Sequence, residues 1–117
     1  MTYQPADRDT MYFIGVTTGK SSIMQVFPKW MDAMGIDLQI KGIDLPIHAD
    51  PEVYREVVTF IKNDPKSKGA LVTTHKIDLY EAAKDLFDYL DPYAQAFSEL
   101  SSISKSEDGT QLRGHAK

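Results

Sequence analysis

The sequence predicts an α/β protein: a three-layer sandwich whose mainly parallel, mixed sheet has an antiparallel edge and helices on both faces. Two observations predict it. Short apolar runs bounded by glycine and hydroxyl residues alternate with longer segments whose apolar residues recur every three or four positions. The resulting order, β-α-β-α-β-α-α-β-β, implies right-handed βαβ units and parallel strands. Near the C-terminal end, two further runs flank Ser106-Glu-Asp-Gly109, a hairpin signal that adds antiparallel pairing.

Residues 1–10 form a polar lead of mixed charge, and the domain proper is expected over 11–117. Met11-Tyr-Phe-Ile-Gly-Val16 reads as a buried strand. From Ser21 to Met34, the residues Ile23, Val26, Phe27, Trp30, Met31 and Met34 share one helical face. Ser21 or Ser22 is a suitable N-cap and Gly35 a suitable stop. Pro28 removes a backbone donor inside this segment, so it either kinks the helix or marks a short first turn. Leu38 to Asp44 alternates as a second strand. Pro51 to Lys62 is a helix with Asp50 as cap, Pro51 at its first position, and Val53, Val57, Phe60 and Ile61 facing inward. Gly69 to Thr73 is a third strand, and Asp78 to Leu90 is read as helical. A short helix follows from Asp91-Pro92 to Phe97, then strands at Leu100–Ser104 and Gln111–Arg113.

A chain of 117 residues fits one compact domain, burying about two-thirds of its unfolded surface. The net charge of -4 and the absence of any basic block argue against nucleic acid as a partner. No apolar run approaches the roughly 20 residues that span a bilayer, so no membrane partner is expected. The first ten residues lack the apolar region of a signal peptide. There is no cysteine, which fits a cytoplasmic protein. His48, His75 and His115 have no metal-ligand spacing, and no Gly-x-Gly-x-x-Gly occurs, so neither a metal nor a dinucleotide site is expected within the chain.

In a parallel sheet, ligands gather at the carboxyl ends of the strands. Three chemically suggestive segments fall there. Gly15-Val-Thr-Thr-Gly-Lys-Ser21 has the look of a phosphate-binding loop, but three residues separate its glycines where that motif has four. The helix start it leads into, with Lys20, Ser21 and Ser22, suits a carboxylate as well as a phosphate. Leu71-Val-Thr-Thr-His-Lys76 ends a strand in hydroxyls, an imidazole and an ammonium. Lys76 is suited to polarise a substrate hydroxyl or move a proton, and a solvated surface lysine is the plainer reading. Ser98-Glu-Leu-Ser-Ser-Ile-Ser104 places alternate serines on one strand face.

Together, in this order, these segments resemble the substrate-binding domain of the shikimate dehydrogenase family. That family has a first loop G-x-P-x-x-H-S-x-S-P, onto which the chain lies without a gap from Gly15, so that Ser21 falls on the first serine and Trp30 on a core aromatic. Gly69-Ala-Leu-Val-Thr-Thr-His-Lys76 resembles G-x-N-V-T-x-P-F-K with one residue deleted. Glu99-Leu-Ser-Ser102 resembles A-V-N-T, and Gly114-His-Ala-Lys117 resembles G-D-N-T. The resemblance implies a hydride-transfer enzyme acting on shikimate or a quinate-like acid. Lys76 would contact the reacting hydroxyl, Ser21 the carboxylate, and Thr73 and Ser101 the carboxylate or ring hydroxyls. NADP would be bound by a C-terminal Rossmann domain of the same polypeptide, beyond Lys117. The sequence departs from the family at Ile23, Met24, Leu71, Thr74, His75, Ser101 and His115, and Ser22 and Lys20 are placed to restore carboxylate binding. A paralogue that binds a small acid without catalysis, and a nucleotide-binding loop, are the alternative readings.

Overall fold

The computed structural model describes residues 3–116; Met1, Thr2 and Lys117, the last of which falls in the final family motif, lie outside the described residues. The sheet grows outward from β1 (Thr10–Gly15), which pairs in parallel with β2 (Gln39–Asp44) on one side and β3 (Ser67–Val72) on the other. Beyond β3, β5 (Ser102–Lys105) runs antiparallel to both β3 and β6 (Leu112–His115), and β4 (Tyr89–Leu90) pairs in parallel with β6. The order is β2-β1-β3-β5-β6-β4. This is the expected mixed sheet, mainly parallel, with its antiparallel pairing at β5.

The step from β1 to β2 runs one way along the sheet and the step from β2 to β3 runs back. Right-handed crossovers therefore place α1 (Ser22–Met34) and α2 (Pro51–Asn63) on opposite faces. α3 (Lys76–Ala83) packs beside α2. Alternate strand residues Tyr12, Ile14, Ala70, Val72 and Ile103 meet Tyr54, Val57, Val58 and Ile61 of α2 and Leu79 and Ala83 of α3 in one core. The buried line of α2 is turned slightly from the expected one: Tyr54 and Val58 are enclosed, while Val53 and Phe60 are half-buried against the same core. The polar lead folds back onto this body. Tyr3 packs on Phe60 with ring centroids 5.4 Å apart, and the Ala6 amide donates to Asp64 Oδ2 at 3.1 Å.

α1 keeps Pro28, which is exposed, inside one continuous helix rather than at a short first turn, and ends as expected at Gly35 in the left-handed conformation with φ 67°. Two expectations need correction. Trp30 is not a core residue: it is 53% exposed, because α1 packs chiefly against the edge strand β2 and encloses only Phe27 of its apolar face. The helix expected from Asp78 to Leu90 stops at Ala83, passes through one 3-10 turn, Lys84–Leu86, and becomes β4. Long-range bonds end it. Lys62 Nζ takes the Leu86 carbonyl at 2.7 Å, Arg55 grips Asp85, and Asp88 exchanges bonds with Leu112: its amide donates to the Leu112 carbonyl, and its carboxylate accepts from the Leu112 amide at 2.8 Å. Residues 84–90 are thereby committed to the sheet edge rather than to a longer helix. The short helix expected after Asp91 forms as α4 (Pro92–Phe97), with Asp91 Oδ1 accepting from the Ala94 amide at 2.7 Å.

Gly69 carries the tightest backbone requirement. Its φ of 153° lies outside the range that side chains favour, and a Cβ there would run into the Ile103 carbonyl across the β3–β5 pair. Gly69→Ala is expected to lose about 3 kcal/mol of unfolding free energy, from strain and backbone displacement together, measured by urea denaturation.

Candidate functional site

The carboxyl ends of β1 and β3 lie side by side, joined where the Thr73 amide donates to the Ile14 carbonyl at 2.9 Å. Between them opens a cavity of about 330 Å3 lined by Phe13, Gly15, Val16, Thr17, Thr18, Ser21, Thr73 and Thr74. Five of these eight residues carry hydroxyls and none carries a charge. The site therefore offers a wall of hydrogen-bond donors and acceptors suited to a small polyhydroxylated ligand. A larger hollow of about 420 Å3 sits on the outer side of α2, lined by Tyr3, Glu52, Arg55, Glu56, Thr59 and Phe60. It lies away from the strand ends, and its Arg55 is already held by Asp85, so the hydroxyl cavity is the better candidate despite its smaller size.

The first loop does not make a phosphate cradle. Residues Thr18–Lys20 wind into a 3-10 turn in which the Lys20 amide points to the Thr17 carbonyl and the Ser21 amide to the Thr18 carbonyl. The Thr18 amide is spent on Asp44 Oδ1 at 2.9 Å, and the Thr18 hydroxyl donates to the same oxygen at 2.6 Å. With these amides turned inward, the loop lacks the convergent donors a nucleotide phosphate needs. The Thr18 hydroxyl, and then the Thr18 amide, hold the Asp44 carboxyl below its usual value, with burial working the other way.

The sequence-derived residues separate into two groups. Ser21 and Thr73 both line the cavity. Ser22, at the first position of α1, and Lys20, at the end of the 3-10 turn, share that loop but are exposed and stand outside the lining. Lys76 and Ser101 lie on the far side of the β3 end. Lys76 opens α3 half-buried, and its carbonyl accepts from the Leu100 amide at 3.0 Å. Ser101 accepts from the Val72 amide through its carbonyl, while its own amide and hydroxyl both donate to the His115 carbonyl, at 2.8 and 3.2 Å.

Behind Lys76 the turn is unusually constrained. Thr74 has φ 66°, and His75 is 1% exposed. The His75 ring packs on Tyr54, and its Nδ1 lies 2.8 Å from the Tyr54 hydroxyl. Burial, reinforced by the nearby Asp78 carboxylate, pushes the Tyr54 phenol up against a smaller pull from the Ala49 backbone, so it remains protonated. His75 Nε2 is buried without a hydrogen-bond partner among the described residues. The sequence flagged His75 only as a polar neighbour of Lys76; its apolar setting, with Tyr54 21 residues away in sequence, leaves no local signal.

A second polar chain was also hidden in the sequence. His115, which stands where the family resemblance has an aspartate, holds Ser104 Oγ at 2.9 Å through Nε2 and Asp91 Oδ2 at 3.4 Å through Nδ1. Burial raises the Asp91 carboxyl, but the Ala94 and Ala116 amides and His115 outweigh it and hold it ionised below its usual range. This chain ties the start of α4 to β5 and β6, next to Ser101. Among the described residues no cluster of three histidine or acidic side chains could hold a metal, and no helix is long and apolar enough to cross a membrane.

No protein-family model matches the sequence, nor does any curated protein. Solved structures do match in fold. Shikimate 5-dehydrogenase from Listeria monocytogenes, solved with shikimate and NAD, is 16% identical with a TM-score of 0.74, over 98% of this chain and 37% of that one. Shikimate dehydrogenase 1 from Peptoclostridium difficile is 17% identical with a TM-score of 0.72, over 92% of this chain and 36% of that one. The 5-ketofructose reductase of Gluconobacter sp. strain CHM43 is 14% identical with a TM-score of 0.72, over 92% of this chain and 35% of that one. The chain thus spans about a third of the length of these proteins, and over that third it has the fold of shikimate dehydrogenases.

The buried Tyr54–His75 bond should carry measurable stability. Tyr54→Phe leaves both ring nitrogens of His75 unpaired and is expected to cost about 1–3 kcal/mol in chemical denaturation. A change in the His75 nitrogen NMR shifts should accompany it, and an unaltered stability would show that the phenol is not needed there.

Proposed function

We propose that this chain is the substrate-binding domain of a nicotinamide-dependent oxidoreductase that interconverts an alcohol and a ketone on a hydroxylated ring acid, shikimate first and quinate close behind. The observation that carries the reading is the hydroxyl-lined cavity between Ser21 and Thr73, at the carboxyl ends of β1 and β3, with Lys76 opening the helix that follows β3. The shared fold with shikimate dehydrogenases supports it.

In this reading Ser21, with Ser22 and Lys20 on the same loop, receives the substrate carboxylate. Thr73 and Ser101 hold ring hydroxyls. Lys76 Nζ donates a hydrogen bond to the reacting oxygen, orienting it and taking up or returning its proton as the carbon changes oxidation state. A nicotinamide cofactor, NADP in the first instance, would supply the hydride chemistry for such a reaction. No Gly-x-Gly-x-x-Gly occurs in this sequence, so the chain's own residues do not fit a dinucleotide site, and the cofactor is assigned to a Rossmann domain elsewhere in a longer cytoplasmic polypeptide. A second reading, a neutral hydroxy-ketone, is favoured by two features: the cavity lining carries no cation, and Ile23 stands where a second carboxylate-binding serine is expected. The 5-ketofructose reductase with the same fold adds to it.

The test is a titration of shikimate, quinate and 5-ketofructose into the chain, followed by amide NMR. Shifts centred on Ser21, Thr73 and Lys76 are expected, with the preferred ligand moving them at the lowest concentration. Lys76→Ala should weaken that ligand, and the chain alone should reduce or oxidise none of the three with NADP added. Shifts confined to the outer face of α2, or turnover by this chain alone, would contradict the proposal.

A further inference from the structure

Thr18 sits at the centre of the loop that forms one wall of the cavity, and it is almost fully buried although both its neighbours are exposed. Two glycines make room for it. A Cβ on Gly42 would collide with the Thr18 hydroxyl and lie 2.8 Å from its Cβ, while a Cβ on Gly15 would lie 3.1 Å from its Cγ2. At the end of β2, Asp44 then closes on it from the side: one carboxylate oxygen takes both the Thr18 amide, at 2.9 Å, and the Thr18 hydroxyl, at 2.6 Å. The backbone holds Asp44 in place. It pairs with Gly15 in the β1–β2 register, and the next amide, that of Leu45, donates to the Gly15 carbonyl at 2.8 Å.

Two charge-assisted hydrogen bonds onto one residue, in a slot shaped by two glycines, restrain the loop strongly at its centre. They fix the path from Thr17 to Ser21, and with it the hydroxyls that line the cavity together with Thr73 and Thr74. We infer that Asp44 is a positioning residue for the binding site: by gripping Thr18 it holds the loop in its ligand-binding shape before the ligand arrives. It contacts no ligand itself; it lowers the cost of binding by removing loop freedom that the ligand would otherwise have to freeze. The inference deepens the substrate-binding reading and rests on it for the ligand, though not for the loop.

The experiment compares the unmodified chain with Asp44→Ala, Asp44→Asn and Thr18→Val. Asp108→Ala serves as a control, because Asp108 grips Ser106 and Thr110 in the same manner in the remote β5–β6 turn. Affinity is read by titrating whichever of shikimate, quinate or 5-ketofructose binds the unmodified chain, and loop order by amide hydrogen exchange. Asp44→Ala and Thr18→Val should each weaken binding about tenfold and speed exchange at Thr18 and Ser21, with the double variant little worse than either single one. Asp44→Asn, which keeps an acceptor oxygen, should restore affinity to within about threefold, and the Asp108 control should change neither readout. Unchanged affinity in Asp44→Ala, or a loss that Asp44→Asn fails to restore, overturns the inference. If the unmodified chain binds none of the three probes, it is the substrate reading that fails. Exchange alone then decides the loop: faster exchange confined to Thr18 and Ser21 in Asp44→Ala upholds the positioning role, and unchanged exchange overturns it.

Discussion

Everything in this fold hangs on the parallel pairing of β1 with β2 and β3. Ile14, fully buried at its centre, is enclosed by the core, and its carbonyl receives the first amide after β3. Because the three strands run the same way, their carboxyl ends come out together, and the loops after β1 and β3 have no choice but to meet. The cavity is a consequence of that register, not an addition to it. Antiparallel β5 then brings Ser101 to the same level by pairing backwards along β3, and the Leu100 amide ties it to the start of α3.

The site that results is built from hydroxyls held by backbone geometry, with charge kept one step back. Asp44 is bound to Thr18, Asp91 to the start of α4, and Asp64 to Ser67 and Ala6, so each of these carboxylates is committed to positioning a segment. Lys20 and Lys76 flank the cavity without lining it. Under the proposed function, such an arrangement would hold a ligand by many weak, directional bonds, with a selectivity set by how rigidly the hydroxyls are placed. That is why the slot around Thr18 matters out of proportion to its size.

Much of this was legible in the sequence, and the unread parts share a cause. The strands that end at the site were readable because short apolar runs stop at glycine and threonine. α1 and α2 were readable because their apolar residues keep helical spacing. That Ser21 and Thr73 lie at the cavity could be read because the segments following β1 and β3 gather at the strand ends; the roles given to them came from the family resemblance. What could not be read depended on partners far away in sequence. β4 exists because Asp88 and Leu112 exchange backbone and side-chain bonds, and nothing in 84–90 announces that. Trp30 obeys the helical period but stays half exposed, since α1 packs chiefly against β2 at the sheet's edge. Asp44 lies 26 residues from Thr18, and a lone aspartate after a strand gives no hint of what it will hold. Local pattern determines the elements; the polar bonds between elements come only with the fold.

The central claim is that a small hydroxylated ligand binds between Ser21 and Thr73, at the ends of β1 and β3. The most direct measurement is a set of intermolecular nuclear Overhauser effects from the ring protons of bound shikimate. The account predicts contacts to the Thr73 and Thr17 methyl groups and to the Gly15 α-protons. Contacts to the Tyr3 and Phe60 rings on the outer side of α2 instead would place the ligand in the other hollow and contradict it.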